Sequence, residues 1–194
     1  MEQILEKLFD SVPKARIVRI FMQNPGQSFT FDMIVQKSNV KGVQVRREIN
    51  TLLKLGIISE KKMKTKKTKT LVYVVNQDFE IFPELRNLII KSSVASKKNL
   101  LRKLKKLGRI RLAMIAGTLI NNDRGRTDLL LVADDITKGK MERFLSELES
   151  EIGKQVHYTL MTKDEFIYRT NMYDRFLRDI LEAPHEKLIN RLNI

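Results

Sequence analysis

The chain has no cysteine. Disulfides, thiolate metal sites and a cysteine nucleophile are therefore excluded. It has only two histidines, His157 and His185, which argues against a histidine-rich metal site. Long apolar runs are missing as well. The longest, Leu112 to Ile120, is about half of the roughly 20 residues a membrane-spanning helix needs. The first residues, MEQILEKLFD, alternate charged and apolar side chains and do not read as a secretory signal. Acid is scarce relative to base: 23 Asp and Glu stand against 37 Lys and Arg, a formal net charge of +14. These absences predict a soluble, cytoplasmic protein with no membrane, metal or cofactor. The charge predicts a polyanionic partner, because such a surface attracts polyanions and speeds encounter with them. Nucleic acid comes first and an anionic membrane surface second. A length of 194 residues suits one large domain or two small ones. Both halves are basic, so local clustering has to locate the interface.

In the first half, PKARIVRIFMQN places Ile17, Ile20 and Phe21 on one helical face. Pro13 suits a first helical turn and Asn24-Pro25-Gly26 a stop. SFTFDMIVQKSN predicts a short helix with Thr30 as N-cap and Phe31, Ile34 and Val35 inward. After a turn at Ser38-Asn39, a third helix runs through VQVRREINTLLKLG. Its Val45, Ile49, Leu52 and Leu53 make one apolar stripe. Arg47, Asn50 and Lys54 lie opposite, with Gln44 and Arg46 on the flanks. Arg, Asn and Gln match the donor and acceptor pattern of base edges in the major groove. A helix in that groove contacts bases mainly through its N-terminal residues. The other reading is a solvated charged face.

The next residues favour the groove. Leu55-Gly56-Ile57-Ile58 ends the helix at a glycine and starts a strand. SEKKMKTKKTKT then carries Lys61, Lys62, Lys64, Lys66, Lys67 and Lys69 with no acid after Glu60, and LVYVVNQDF has strand composition. The expected element is a hairpin of strand, basic loop and strand. Lysines at such a tip suit phosphate contacts, which add affinity without sequence information.

Residues from about 13 to 78 resemble a winged helix-turn-helix domain of small prokaryotic repressors, including the arsenical-resistance-regulator type. The resemblance is carried by the three helices, by "VRREINTLLKLGII" and by the basic wing. It implies that Gln44, Arg46, Arg47 and Asn50 contact double-stranded DNA, with Lys61 to Lys69 on the wing. It also implies a homodimer. The cysteines with which some sensor members bind metal are absent.

The segment QDFEIFPELRNLIIKSSVASKKNLLRKLKKLG has helical spacing at Leu85, Leu88 and Ile89, then at Leu100, Leu101 and Leu104. Pro83 suits a helix start, and the boundary falls near Ser92. Lys97 to Lys106 holds five lysines and one arginine. It reads as a solvated helix face or as an extension of the DNA-contacting surface. The expected division is 1–78 for the DNA-binding domain, 79–96 for a linker helix region and 97–194 for a second domain.

That second region reads as a small α/β unit. Strands are expected at RIRLAMIAG, TDLLLVADD and KQVHYTLMT. A helix through TKGKMERFLSELESEIG turns Met141, Phe144, Leu145 and Leu148 inward. Thr162-Lys163-Asp164-Glu165 is a capping box opening a helix through Phe166, Ile167 and Tyr168. A last helix carries Phe176, Leu177, Ile180 and Leu181. His157 reads as a packed or surface histidine on a strand, and His185 as exposed at a helix end.

"AGTLINNDRGRTDLLLV" and "YTLMTKDEFIYR…DRFLRDILEAP" resemble the minimal nucleotidyltransferase domain. In that family a strand ends in Gly-Ser, the next begins Asp-x-Asp, and a later strand supplies a third carboxylate. Two divalent cations clamp the attacking and leaving oxygens, and magnesium requires oxygen ligands. Acids at i and i+2 of a strand point the same way and can share the metals. Here Gly117-Thr118 matches Gly-Ser and Asp128 the second acid, but Arg126 replaces the first. Gln155 to Met161 contains no acid. Asp134 and Asp135 lie roughly 20 Å further along the strand. The resemblance implies an inherited frame without catalysis, used for dimerisation, for a partner or for a small anionic ligand. Gly117, Thr118, Arg126 and Asp128 would then be the nucleotide or anion contacts, with Asp128 alternatively paired to Arg126 or Arg124. The expected class is a two-domain α+β and α/β protein: a winged helix-turn-helix, then a mixed-sheet α/β unit. The expected function is transcriptional regulation. The alternative is an active nucleotidyltransferase targeted by the winged helix.

Overall fold

The computed structural model describes residues 4–65, 68–92, 97–120, 122 and 126–192. They form a mixed α/β protein with two small sheets. Contacts divide the chain into two compact units, Met1–Ser93 with Ser146–Lys154, and Val94–Leu145 with Gln155–Ile194.

The first unit begins with α1 (Ile4–Leu8) and α2 (Val12–Gln23). The Ser11 side chain caps α2 by accepting from the Lys14 N–H. Strand β1 (Ser28–Phe29) leads into α3 (Phe31–Ser38), which Thr30 caps through the Met33 N–H. Asn39 takes the left-handed conformation at φ 52, a region Asn tolerates better than most residues. Arg16 donates to the Ser38 carbonyl at 3.2 Å, which satisfies part of the α3 end. Helix α4 (Gly42–Lys54) follows.

Helix α4 closes in a Schellman motif. The Ile57 N–H donates to the Leu52 carbonyl and the Gly56 N–H to that of Leu53. Gly56 sits at φ +70, which is why a glycine stands there. The chain then forms the hairpin of β2 (Ile58–Thr65) and β3 (Thr68–Val75). β3 pairs with both β1 and β2, all antiparallel, in the order β1-β3-β2.

Phe21, Phe29, Ile17, Ile20, Ile34, Val45, Ile49 and Leu52 fill this core. Phe21 and Phe29 meet edge to face at 5.6 Å. Helix α5 (Phe82–Ser92), from the 79–96 joint, buries Ile89 in the same core. Leu88 of the same helix is exposed.

The second unit opens with α6 (Lys97–Leu107) and β4 (Ile110–Ala116). A 3-10 turn at Gly117–Ile120 follows. Next come β5 (Leu129–Ala133), α7 (Lys138–Ile152), β6 (Tyr158–Met161), α8 (Lys163–Asn171), α9 (Arg175–Glu182) and β7 (His185–Asn190). The sheet order is β6-β5-β4-β7, with β5 and β6 parallel and the other pairs antiparallel. Leu112, Met114, Leu130 and Val132 face Phe166, Leu177 and Ile180 on one side. Their strand neighbours Ala113, Ile115, Leu129 and Leu131 are buried too, as the pleat of a doubly covered sheet requires. Met141 and Phe144 of α7 are buried as expected. The end of α7 belongs to the first unit, where the Asn24 side-chain amide donates to the Gly153 carbonyl at 2.7 Å.

Several expectations need correction. Lys61, Lys62, Lys64 and Lys69 lie in strands and not in the expected loop, because the ladder runs from Ile58↔Val75 to Thr65↔Thr68. Strand β1 was not expected; its two residues are too few to show alternation. β7 replaces the expected helix end after Pro184, and its His185 is half-buried, with Nδ1 2.8 Å from the Ala183 carbonyl. His157 precedes β6 instead of lying on it. The helix expected through Phe166, Ile167 and Tyr168 is present as α8, and it buries Phe166. Among the described residues, no helix is long and apolar enough to cross a membrane.

Candidate nucleic-acid interface

Helix α4 sorts its residues sharply. Val45, Ile49 and Leu52 are buried, and so is Glu48 at 9% exposure. Its spacing of i+3 from Val45 puts Glu48 at the edge of the apolar stripe, but its charge gave no sign of burial. The Ser11 hydroxyl donates to its carboxylate at 2.9 Å, and the Lys14 ammonium lies 3.7 Å away. This pair of contacts ties α4 to the start of α2 and fixes how far the helix is rotated. Gln44, Arg46, Arg47, Asn50 and Lys54 are all exposed.

Arg47, Asn50 and Lys54 stand at i, i+3 and i+7, so they share a stripe. Arg46 is turned aside: its guanidinium lies over the Phe31 ring, 5.0 Å from the centroid. That cation–π contact links α4 to α3. Phe31, Gly42, Val43, Arg46, Arg47 and Asn50 border a shallow hollow at the N-terminal end of α4. Val43, at this hollow, is 85% exposed.

The hairpin extends the basic surface. Lys61 and Lys62 are exposed, and their ladder partners are Val72 and Leu71. Register sets Lys64 opposite Lys69. Lys66 and Lys67 lie outside the described residues.

The four residues of the second candidate cluster gather at the Gly117 turn. Arg126 and Asp128 precede β5 and differ in surroundings. Arg126 is exposed, whereas Asp128 is 4% exposed. The Asp128 carboxylate accepts the Thr118 N–H at 2.6 Å and the His157 N–H at 2.8 Å, and His157 Nδ1 lies 3.3 Å away. It is a clamp between the Gly117 turn and the entry to β6. Gly117 sits at φ +51, and a Cβ there would run into the Asp128 carboxylate. The expected pairing of Asp128 with Arg126 is therefore corrected. Arg126 lies 3.7 Å from Asp179 of α9 instead. Arg124 lies outside the described residues.

Gly117, Arg126 and Asp179 line a cavity of about 210 Å³, with Ile180 and Pro184 as apolar wall. That is below the roughly 300–1,000 Å³ of ordinary ligand pockets. Asp134 is engaged elsewhere. The Lys163 N–H and the Arg111 guanidinium each donate to it at 3.0 Å. The backbone bond first, then Arg111, holds its carboxyl below the ordinary range. Among the described residues, no three His, Cys, Asp or Glu side chains gather as a metal site.

Comparison with protein-family models, curated proteins and solved structures finds no match to the chain.

Proposed function

We propose that the chain is a sequence-specific DNA-binding transcriptional regulator. In this reading the first unit is a winged helix-turn-helix domain with α4 as its recognition helix. The β2–β3 hairpin is the wing. The observation that carries it is the exposed stripe of Arg47, Asn50 and Lys54 on a helix whose opposite side is buried. Glu48 and the Arg46–Phe31 contact support it, because both hold that stripe in one orientation. Bidentate side chains read base edges only when so oriented.

The second unit, in this reading, is a nucleotidyltransferase-like frame that acts in dimerisation, partner binding or small-anion binding and not in catalysis. Three observations favour this over the enzyme. Asp128 is buried on backbone amides, Arg126 is paired, and the cavity is small. Hydrated magnesium keeps several waters and needs room that a 4%-exposed carboxylate does not offer.

The decisive experiment is selection of bound duplexes from random DNA. A shared motif is expected, repeated as half-sites if the regulator is a dimer. A pool with no enriched motif would sink the proposal. The wing carries a separate expectation. Lys61→Ala and Lys62→Ala should each lower the slope of log affinity against log salt by about 1, equally for every duplex sequence. A change that depends on sequence would assign these lysines to base readout instead.

A further inference from the structure

A second basic surface lies wholly within the second unit, apart from the α4 stripe and the wing. Helix α6 contains no acid, and its apolar side is spent on the unit's own core: Leu100, Leu104 and Leu107 are buried. Arg102, Lys105 and Lys106 are exposed on the helix at i, i+3 and i+4, and Arg109 is exposed just beyond its end. The rise of an α-helix keeps Arg102 and Lys106 within about 6 Å along the axis.

The sheet adds to this surface. The Arg191 N–H donates to the Arg111 carbonyl at 2.7 Å, which places Arg191 at the end of β4 that Arg109 enters. Arg191 is exposed as well. The acids nearby are already used. Glu186 pairs with Lys97 at 2.6 Å, and Asp134 pairs with Arg111 at 3.0 Å. Among the described residues, Arg102, Lys105, Lys106, Arg109 and Arg191 have no acidic partner.

Ordinary helix stability accounts for part of this. Lys105 and Lys106 in the last turn oppose the negative end of the helix dipole. It does not account for Arg109 and Arg191, which are outside the helix. Cations gathered on one small unit repel one another, and a polyanion relieves that repulsion. Their chemistry suits phosphates, and the Arg102 guanidinium is already engaged by the Asn99 side chain of the same helix at 2.5 Å.

We infer that this α6–β4 surface is a second, sequence-independent contact for the phosphate backbone of duplex DNA. The inference rests on the reading that the chain binds DNA, and it gives the second unit a share in that binding. DNA is then held by both units, with α4 choosing the sequence.

The test uses the full chain with Arg102→Gln, Lys105→Gln, Lys106→Gln and Arg109→Gln combined, all on the surface. Binding to the selected duplex and to a scrambled duplex is measured across a salt series. The expected result is a salt slope lower by about 2–4 for both duplexes and an affinity at least roughly tenfold weaker, with the ratio between duplexes unchanged. A wild-type slope and affinity in the quadruple variant, with sequence preference intact, overturn this inference and leave the proposed function standing. A lowered slope in a protein that never prefers a sequence does the reverse. No binding of either duplex by the wild type overturns both. Loss of binding to anionic phosphatidylserine vesicles, with duplex binding unchanged, assigns the surface to membranes and also overturns it. Circular dichroism checks that the variant is folded. A triple variant that keeps Lys105 should show a drop in slope about a quarter smaller than that of the quadruple variant.

Discussion

Replacing Asp128 with alanine is expected to lower the melting temperature of the second unit by about 10 °C or more. The carboxylate is 4% exposed and accepts two backbone amides, those of Thr118 and His157. Alanine removes this acceptor from both. Both hydrogen bonds are part-buried, and a fully buried donor left unpaired costs about 1–3 kcal/mol, so the penalty is up to roughly 2–6 kcal/mol. For a unit of this size each kcal/mol is worth about 4–8 °C. Water entering the vacated space would bring the effect toward the lower end. Asp128→Asn should fall between, because its amide keeps one oxygen acceptor and turns an NH₂ toward the other donor. Calorimetry checks both variants. A catalytic acid predicts a different outcome: Mg²⁺-dependent transfer of labelled nucleotide by the wild type, abolished in Asp128→Asn with little change in melting. That outcome would overturn the non-catalytic reading of the second unit.

Local chemistry was legible in the sequence wherever one residue type settles one backbone problem. Thr30, Asn39, Gly56 and Thr162 all stand at the caps and turns where their side chains or backbone freedom are needed. The α4 stripe was legible because its period repeats for three turns. Long-range pairings were not. Glu48 stands at the edge of the apolar stripe, but nothing within α4 names Ser11 and Lys14, the partners that let its charge be buried. Arg19 is buried too; burial holds its guanidinium below its ordinary pKa, with Glu6 and Glu151 opposing. The lysine run has loop composition, yet its described lysines, Lys61, Lys62, Lys64 and Lys69, are in strands. Backbone bonds to β3 carry the ladder, and Thr65, Thr68 and Thr70 keep β-branched residues within it. Gly117 and Asp128 were picked out together, and they do meet. Their relation is mutual support of a turn, because the His157 amide that completes the clamp comes from a segment 29 residues away.

The double variant Arg47→Ala with Asn50→Ala is expected to weaken binding to the selected duplex by roughly 2–6 kcal/mol, at about 1–3 kcal/mol for each base contact removed. That corresponds to between about thirtyfold and roughly twenty-thousandfold. Binding to scrambled DNA should change far less, since only one charge is removed. Both residues are exposed on the side of α4 opposite Val45, Ile49 and Leu52, so truncation leaves the core intact. Arg46→Ala is a different case, because it also removes the contact with the Phe31 ring and with it some of the hold on α3. Arg47→Lys separates charge from geometry. It keeps the cation and so the salt slope, but the ammonium lacks the planar fork that grips two acceptors of guanine. Sequence preference should therefore fall while affinity for scrambled DNA holds. If Arg47→Lys keeps full preference, or if the double variant weakens binding equally for both duplexes, α4 supplies charge alone and does not read the sequence.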